Sequence, residues 1–213
     1  MLFAAAPESQ QELAEYWPTT DWQAAPAEAA GMSPRRLQAA VAAIENGGYE
    51  IDGLLVIRHG YIVTEYYRGG FRPHDLHPVH SCTKSVVGAC VGIAIEDGSI
   101  SGVNERLIDL FPSRFPDPTS DGEGTAAAVR LEHLLTMTTG MRSRDSYLYR
   151  WDGLIRMGQT DDWVSYALAL PVEAAPGTRF DYSNTSSFLL SAVVQEATGG
   201  QYLIVNPAHD LSV

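Results

Sequence analysis

Apolar residues recur at helical spacing from Leu37 through Val41 to Ile44, and Ser33-Pro34 stands just ahead of them. This is a helix-start signature. A serine at the N-cap can accept from an unpaired first-turn N–H, and proline in the first turn has no N–H to lose. Gly47-Gly48 closes the helix. The period then changes. Residues 54–58 and 61–67 are β-branched and aromatic runs split by His59-Gly60, which predicts a β-hairpin with glycine supplying a positive φ. After a loop with Gly69, Gly70 and Pro73, residues 85–95 carry no charge. Val86, Val87, Cys90, Val91, Ala94 and Ile95 cover a wide face there, and Gly88 and Gly92 mark a second face open to another backbone. A helix apolar nearly all round is expected to be central and buried. Asp97-Gly98 ends it, and residues 131–136, 161–170 and 186–198 read as further helices bounded by Gly or Pro. No later strand and no internal repeat is apparent. The order is helix, hairpin, then helices.

This pattern divides the chain. Residues 1–32, rich in Ala, Pro and Glu, are expected to be an irregular leader. Residues 33–200 form the body, and 201–213 an atypical tail in which Asn206-Pro207 interrupts helical continuation. A hydrophobic content of 45% over 213 residues suffices for a real core. Net charge of −12 with no basic run excludes a nucleic-acid backbone as partner and reads as solubility. No apolar run reaches the ~20 residues of a membrane helix. The N-terminus lacks the basic region of a signal peptide, although Ala4 to Ala6 match the cleavage end of one that begins upstream. Export to the periplasm or medium and a cytoplasmic location therefore both stay open. Cys82 and Cys90 lie about 12 Å apart along one helix, too far to bridge.

The chemistry starts from a single lysine. Lys84 stands against thirteen arginines. Arginine serves wherever a plain positive charge is wanted, whereas an amine is needed where the group must lose its proton. Lys84 follows Ser81 by three residues, giving Ser-x-x-Lys. With Ser81 in the first turn, its Oγ lies near unpaired N–H groups and the positive end of the helix dipole. Lys84 then shares its face at a Cβ separation of about 5–6 Å, and desolvation would favour the neutral amine. A lone lysine falls three after a serine by chance roughly one time in thirteen here, so the spacing alone does not decide. The plain alternative makes Ser81 an N-cap and Lys84 a solvated neighbour.

His74, His77 and His80 recur every three residues with Asp75 among them. Pro78 interrupts any helix that would align them, so a loop beside the nucleophile is expected and no metal site. Trp151, Tyr147 and Tyr149 line a cleft or pack within the body; both readings stand. No Gly-x-Ser-x-Gly elbow, phosphate loop or dinucleotide fingerprint occurs.

A second segment, Pro176-Gly177-Thr178-Arg179-Phe180-Asp181-Tyr182-Ser183-Asn184, reads as a turn, an extended stretch and a helix start. With it the chain resembles the serine β-lactamase and penicillin-binding-protein superfamily. The resemblance is to the class C-like branch that also holds esterases, D-alanyl-D-alanine peptidases and nylon-oligomer hydrolases. It rests on Ser81-x-x-Lys84, on Leu134-Leu135-Thr136-Met137-Thr138-Thr139-Gly140, and on Pro176-Gly177-Thr178-x-Phe180 leading into Tyr182-x-Asn184, and it spans residues 30–200. It implies an α/β (α+β) fold of two lobes, represented here by the N-terminal helix and hairpin plus a mostly helical lobe. It also implies that Ser81 forms an acyl-enzyme, that Lys84 and Tyr182 handle its proton, and that Asn184 orients the lysine or the substrate. The substrate would be a small amide or ester, with no cofactor.

The superfamily's third motif, Lys-Thr-Gly or a histidine equivalent on a strand facing the nucleophile, has no counterpart after Asn184. The remaining sheet strands are missing with it. The expectation is a C-terminally truncated product, and the rival to the hydrolase is a non-catalytic remnant or binding module that keeps the cleft without turnover.

Overall fold

The computed structural model describes residues 13–14, 16–115, 126–145 and 149–200. The first part of the leader, Tyr147 and the tail from 201 onward lie outside the described residues. The chain divides into two units, residues 1–77 and 78–213.

In the first unit, helix α1 runs Pro34–Asn46. Ser33 is its N-cap, but the serine hydroxyl makes no capping bond. The Ser33 carbonyl instead accepts from the N–H groups of Arg36 and Leu37, both at 3.1 Å. Leu37, Val41 and Ile44 form one half-buried stripe. Strands β1 (Gly53–Arg58) and β2 (Tyr61–Tyr67) pair antiparallel. Arg58 opposite Tyr61 leaves a two-residue loop, with φ of 53° at His59 and 84° at Gly60. Positive φ at both positions lets the turn follow the right-handed twist of its strands. A bulge separates Val56 from Ile57. The last part of the leader adds a rung, since Ile62 N–H donates to Gln23 O at 2.9 Å and Ala25 N–H to Ile62 O at 3.0 Å.

The second unit is helical. Its elements are α2 (Thr83–Glu96), α3 (Leu107–Leu110), α4 (Leu131–Leu135), α5 (Asp152–Gly158), α6 (Trp163–Leu168) and α7 (Asn184–Thr198). Helices α3 and α5 and several 3₁₀ turns were not legible as separate elements in the hydrophobic pattern. The core joins Val87, Val91 and Ala94 of α2 to Leu189, Leu190 and Val193 of α7, with Ile100, Leu107, Leu131, Leu134 and Ala167 around them. All of these are buried.

One expectation is corrected. Helix α2 does not bury its full apolar surface: Thr83, Val87, Val91 and Ala94 are buried, while Val86 is 53% and Ile93 51% exposed. A helix buries only the faces on which other elements lie, and here α7 and the neighbouring turns occupy one side. A Cβ built at Gly88 or Gly92 would meet nothing within 4 Å, so no other backbone lies close against those glycines among the described residues.

The glycine at position 140 has a steric reason. Gly140 has φ +72°, and a Cβ there would sit 2.0 Å from the carbonyl oxygen of Ala174. Only glycine admits that approach, which brings residues 137–140 alongside 174–181. Gly177 N–H donates to Thr138 O at 2.7 Å, and Asp181 N–H to Met137 O at 2.9 Å.

Candidate active site

Ser81 lies in a 3₁₀ turn, His80–Cys82, immediately before α2 rather than in its first α-helical turn. The preceding residue, His80, has φ 42°. A non-glycine residue there carries strain of order 1–3 kcal/mol, which persists only where surrounding structure enforces it. The result presents Ser81 as an exposed side chain at the head of a helix whose opposite side is anchored in the core. Lys84, one turn further along, is half-buried.

The extended stretch tied to residues 137 and 138 delivers Tyr182, and α7 begins two residues later. Ser183 caps this helix, its Oγ accepting from Ser186 N–H at 2.9 Å. The paired core faces of α2 and α7 thus bring two distant sequence blocks together. Ser81 Oγ and Tyr182 Oη are 2.6 Å apart, and either can donate. Lys84 Nζ donates to Ser81 Oγ at 3.2 Å and to Asn184 Oδ1 at 2.6 Å. The same nitrogen lies 5.1 Å from the centroid of the Tyr182 ring, within cation–π range. All four residues singled out in the sequence therefore meet in one hydrogen-bonded group. The arrangement joins a solvent-facing hydroxyl to a phenol and an amine, the parts needed to strip a proton from a nucleophile.

Asn184 is held at its other end as well. Its Nδ2 donates to the carbonyl oxygen of Asp145 at 2.8 Å, so its Oδ1 is the end that faces Lys84. Sequence reasoning missed Asp145. An acidic residue in a loop carries no signal by itself, and the one clue was its place five residues after Gly140. The histidines do not gather: His77 packs on the Phe71 ring at 4.6 Å, and Asp75 pairs with Arg72 at 3.0 Å. Among the described residues no group of three or more His, Cys, Asp or Glu is placed to hold a metal ion. Cys82 and Cys90 are free thiols. Trp151 is half-buried at the N-cap of α5.

The profile of the β-lactamase family matches residues 37–205, a range that contains every residue of this group. The chain belongs to the β-lactamase family. A 6-aminohexanoate-dimer hydrolase from Paenarthrobacter ureafaciens is 27% identical over 169 residues, covering 71% of this chain and 39% of that protein. Two solved structures share the β-lactamase fold. One, from Bacillus anthracis, bears the name of a 6-aminohexanoate-dimer hydrolase and aligns with TM-score 0.55 at 16% identity, over 75% of this chain and 42% of its own. The other, from Bacteroides dorei DSM 17855, bears the name of a β-lactamase and aligns with TM-score 0.60 at 18% identity, over 84% and 50% respectively. This β-lactamase-family chain thus spans half or less of the length of these relatives. Among the described residues no helix is long and apolar enough to cross a membrane.

Proposed function

We propose that this chain carries the nucleophile and proton-transfer groups of a serine acyl hydrolase that cleaves small amides or esters. The observation that supports it is the 2.6 Å contact between Ser81 Oγ and Tyr182 Oη, with Lys84 Nζ 3.2 Å from the same hydroxyl. Ser81 Oγ attacks the carbonyl carbon, and its proton passes to the Tyr182 oxygen or the Lys84 nitrogen. The tetrahedral intermediate collapses to an ester on Ser81 as the leaving amine or alcohol takes up that proton. Water, deprotonated by the same pair, then releases the acid and restores the hydroxyl. Lys84 divides its N–H donors between Ser81 and Asn184, so a change at Asn184 alters which way the amine presents its lone pair.

The name of the Paenarthrobacter relative, which acts on a dimer of 6-aminohexanoate, favours linear amides over bulky ring systems as the first substrates to try. The direct test exposes the purified chain to a fluorophosphonate and maps the adduct by peptide mass. One adduct, on Ser81, is expected. A folded chain that takes none would overturn the hydrolase reading and leave the non-catalytic one.

A further inference from the structure

The second unit buries a carboxylate that the proposed reaction does not use. Asp145 is 0% exposed. Its Oδ2 accepts from Thr185 N–H at 2.5 Å and from the Ser183 hydroxyl at 3.4 Å, and its Oδ1 accepts from the Ser143 hydroxyl at 3.1 Å. None of the ion pairs among the described residues involves it; its charge is met by these donors and by the N-terminus of α7. Removing a carboxylate from water without a cation costs several kcal/mol unless such donors replace the solvent. Two hydroxyls and a backbone N–H gathered on one buried carboxylate are an expensive arrangement for a residue whose only task is to cap.

The backbone at this position explains the arrangement. The carbonyl of the same residue takes the Nδ2 of Asn184 at 2.8 Å, and Asn184 Oδ1 takes Lys84 Nζ at 2.6 Å. Reversing the amide would set two donors against each other at Lys84 and two acceptors at Asp145. The carbonyl can hold the amide only if its own peptide is fixed, and the segment before it is not relaxed: Arg144 has φ 50°. Arg144 O accepts from Gly153 N–H at 2.9 Å, and a Cβ at Gly153 would come within 1.7 Å of Ser143 O. The loop is thus clamped from behind by α5 and from the front by the carboxylate bound to α7.

We infer that Asp145 is a positioning residue for the Ser81–Lys84–Tyr182 centre: its buried carboxylate locks the peptide that fixes Asn184, and Asn184 fixes the Lys84 amine. The inference rests on the hydrolase reading for its catalytic consequence, but the positional link is observable without turnover. Lys84 is the one lysine of the chain, so labelling with ε-¹³C-lysine gives a single NMR signal from the site itself.

The experiment compares Asp145→Ala, Asn184→Ala and the double variant, with the full chain as reference. Asp145→Ala should move the lysine signal to the position it takes in Asn184→Ala. The double variant should match Asn184→Ala alone, because both substitutions release the same amide. Fluorophosphonate acylation of Ser81 should slow about 10- to 100-fold in each single variant with no further loss in the double. Asp145→Asn keeps an oxygen for Thr185 N–H and should stay within about threefold of the parent chain. If Asp145→Ala does not fold, Ser143→Ala removes one donor while leaving the charge, and should shift the signal in the same direction with a smaller, about two- to fivefold, loss of rate. An unmoved lysine signal in folded Asp145→Ala, or losses that add with those of Asn184→Ala, would overturn the inference and reduce Asp145 to a helix cap. A parent chain that resists acylation while its lysine signal responds as described would sink the hydrolase reading and uphold the positional link.

Discussion

Residues 13–77 and 78–200 obey the same rules of patterning but end in different states. In the first region the buried apolar side chains among the described residues are Ala27 and Ala30; α1 buries none, and Leu55 and Ile57 are 44% and 45% exposed. An open cleft of about 430 Å³ remains between α1 and β2, lined by Leu37, Val41 and Val63. In the second region the apolar faces of α2, α4 and α7 close on one another and leave Leu131, Leu134, Leu189 and Val193 at 1% exposure or less. Periodicity makes an element amphipathic, but burial needs a partner of matching face. A two-stranded hairpin with one helix has few such faces to offer. Every residue of the candidate site comes from the region that has its own core: Lys84 and Asn184 stand on α2 and α7, whose packing defines that core, and Ser81 and Tyr182 on the segments that lead into them.

The sharpest way to test that division is to change the site without changing the core. Lys84→Arg keeps the positive charge but removes the only side chain there that can become a neutral base. Acylation of Ser81 by a fluorophosphonate should fall by about 10²- to 10⁴-fold, with the far-ultraviolet spectrum unchanged. Ile57→Thr, in β1, should leave the same rate within about threefold, since it alters an already exposed side chain. Rapid acylation of the arginine variant would remove Lys84 from the mechanism. A large loss in the hairpin variant would show that the two regions are not independent in function.

Stability offers the next contrast. Leu131, fully buried in α4, should cost about 2–5 kcal/mol when changed to Ala, through lost transfer energy and the cavity left behind. Leu37→Ala in α1 removes a half-buried side chain and should cost about 1 kcal/mol or less. Urea unfolding of the two variants measures this directly, and equal losses would mean that the open cleft beside Leu37 is closed in solution.

The two serine N-caps separate the regions on a finer scale. The sequence marked Ser33 as an N-cap and around Ser183 only a helix start, yet Ser33 makes no capping bond while Ser183 accepts from Ser186 N–H and donates to Asp145. Ser183→Ala should cost about 0.5–2 kcal/mol, and Ser33→Ala close to nothing, by the same measurement.

What the sequence disclosed follows the physics of each element. The hairpin was readable because period-two runs meet at His59-Gly60, and α1 because a start signal, a periodic face and a double glycine agree. Ser81 and Lys84 were readable because a lone lysine near a serine is a local pattern, and Tyr182 and Asn184 because Tyr-x-Asn after Pro-Gly-Thr resembles a motif of the superfamily. Asp145 was not, since its meaning lies in contacts with residues 183–185 that no local pattern announces. The partial burial of α2 was missed for the converse reason. Composition reports how much apolar surface a helix offers, not how many neighbours arrive to cover it.

The smallest expected effect is a dependence on pH confined to the second region. His133, at the third position of α4, accepts from Arg130 N–H through Nδ1 at 3.0 Å, which ties down the N–H of the N-cap residue. Burial, only partly offset by the neighbouring Glu132, holds its imidazole below the usual histidine value. In the unfolded chain the ring takes a proton near pH 6.5, whereas the folded chain resists it until lower pH. The stabilisation from neutral His133 is therefore complete above about pH 6.5 and is lost as pH falls through that value toward the folded one. Protonated Nδ1 could no longer accept from Arg130, so the start of α4 should loosen in the same window. Asp162 titrates apart from this. The Ser165 N–H, with Arg114 and the Ser165 hydroxyl, lowers its carboxyl to about 2, so its contribution survives until pH drops below about 4. His133→Gln retains an acceptor for Arg130 N–H but cannot titrate. The unfolding midpoint of the parent chain should slope downward from pH 7 to 5, and that of the glutamine variant should slope less. Equal slopes would remove His133 as the source of the dependence.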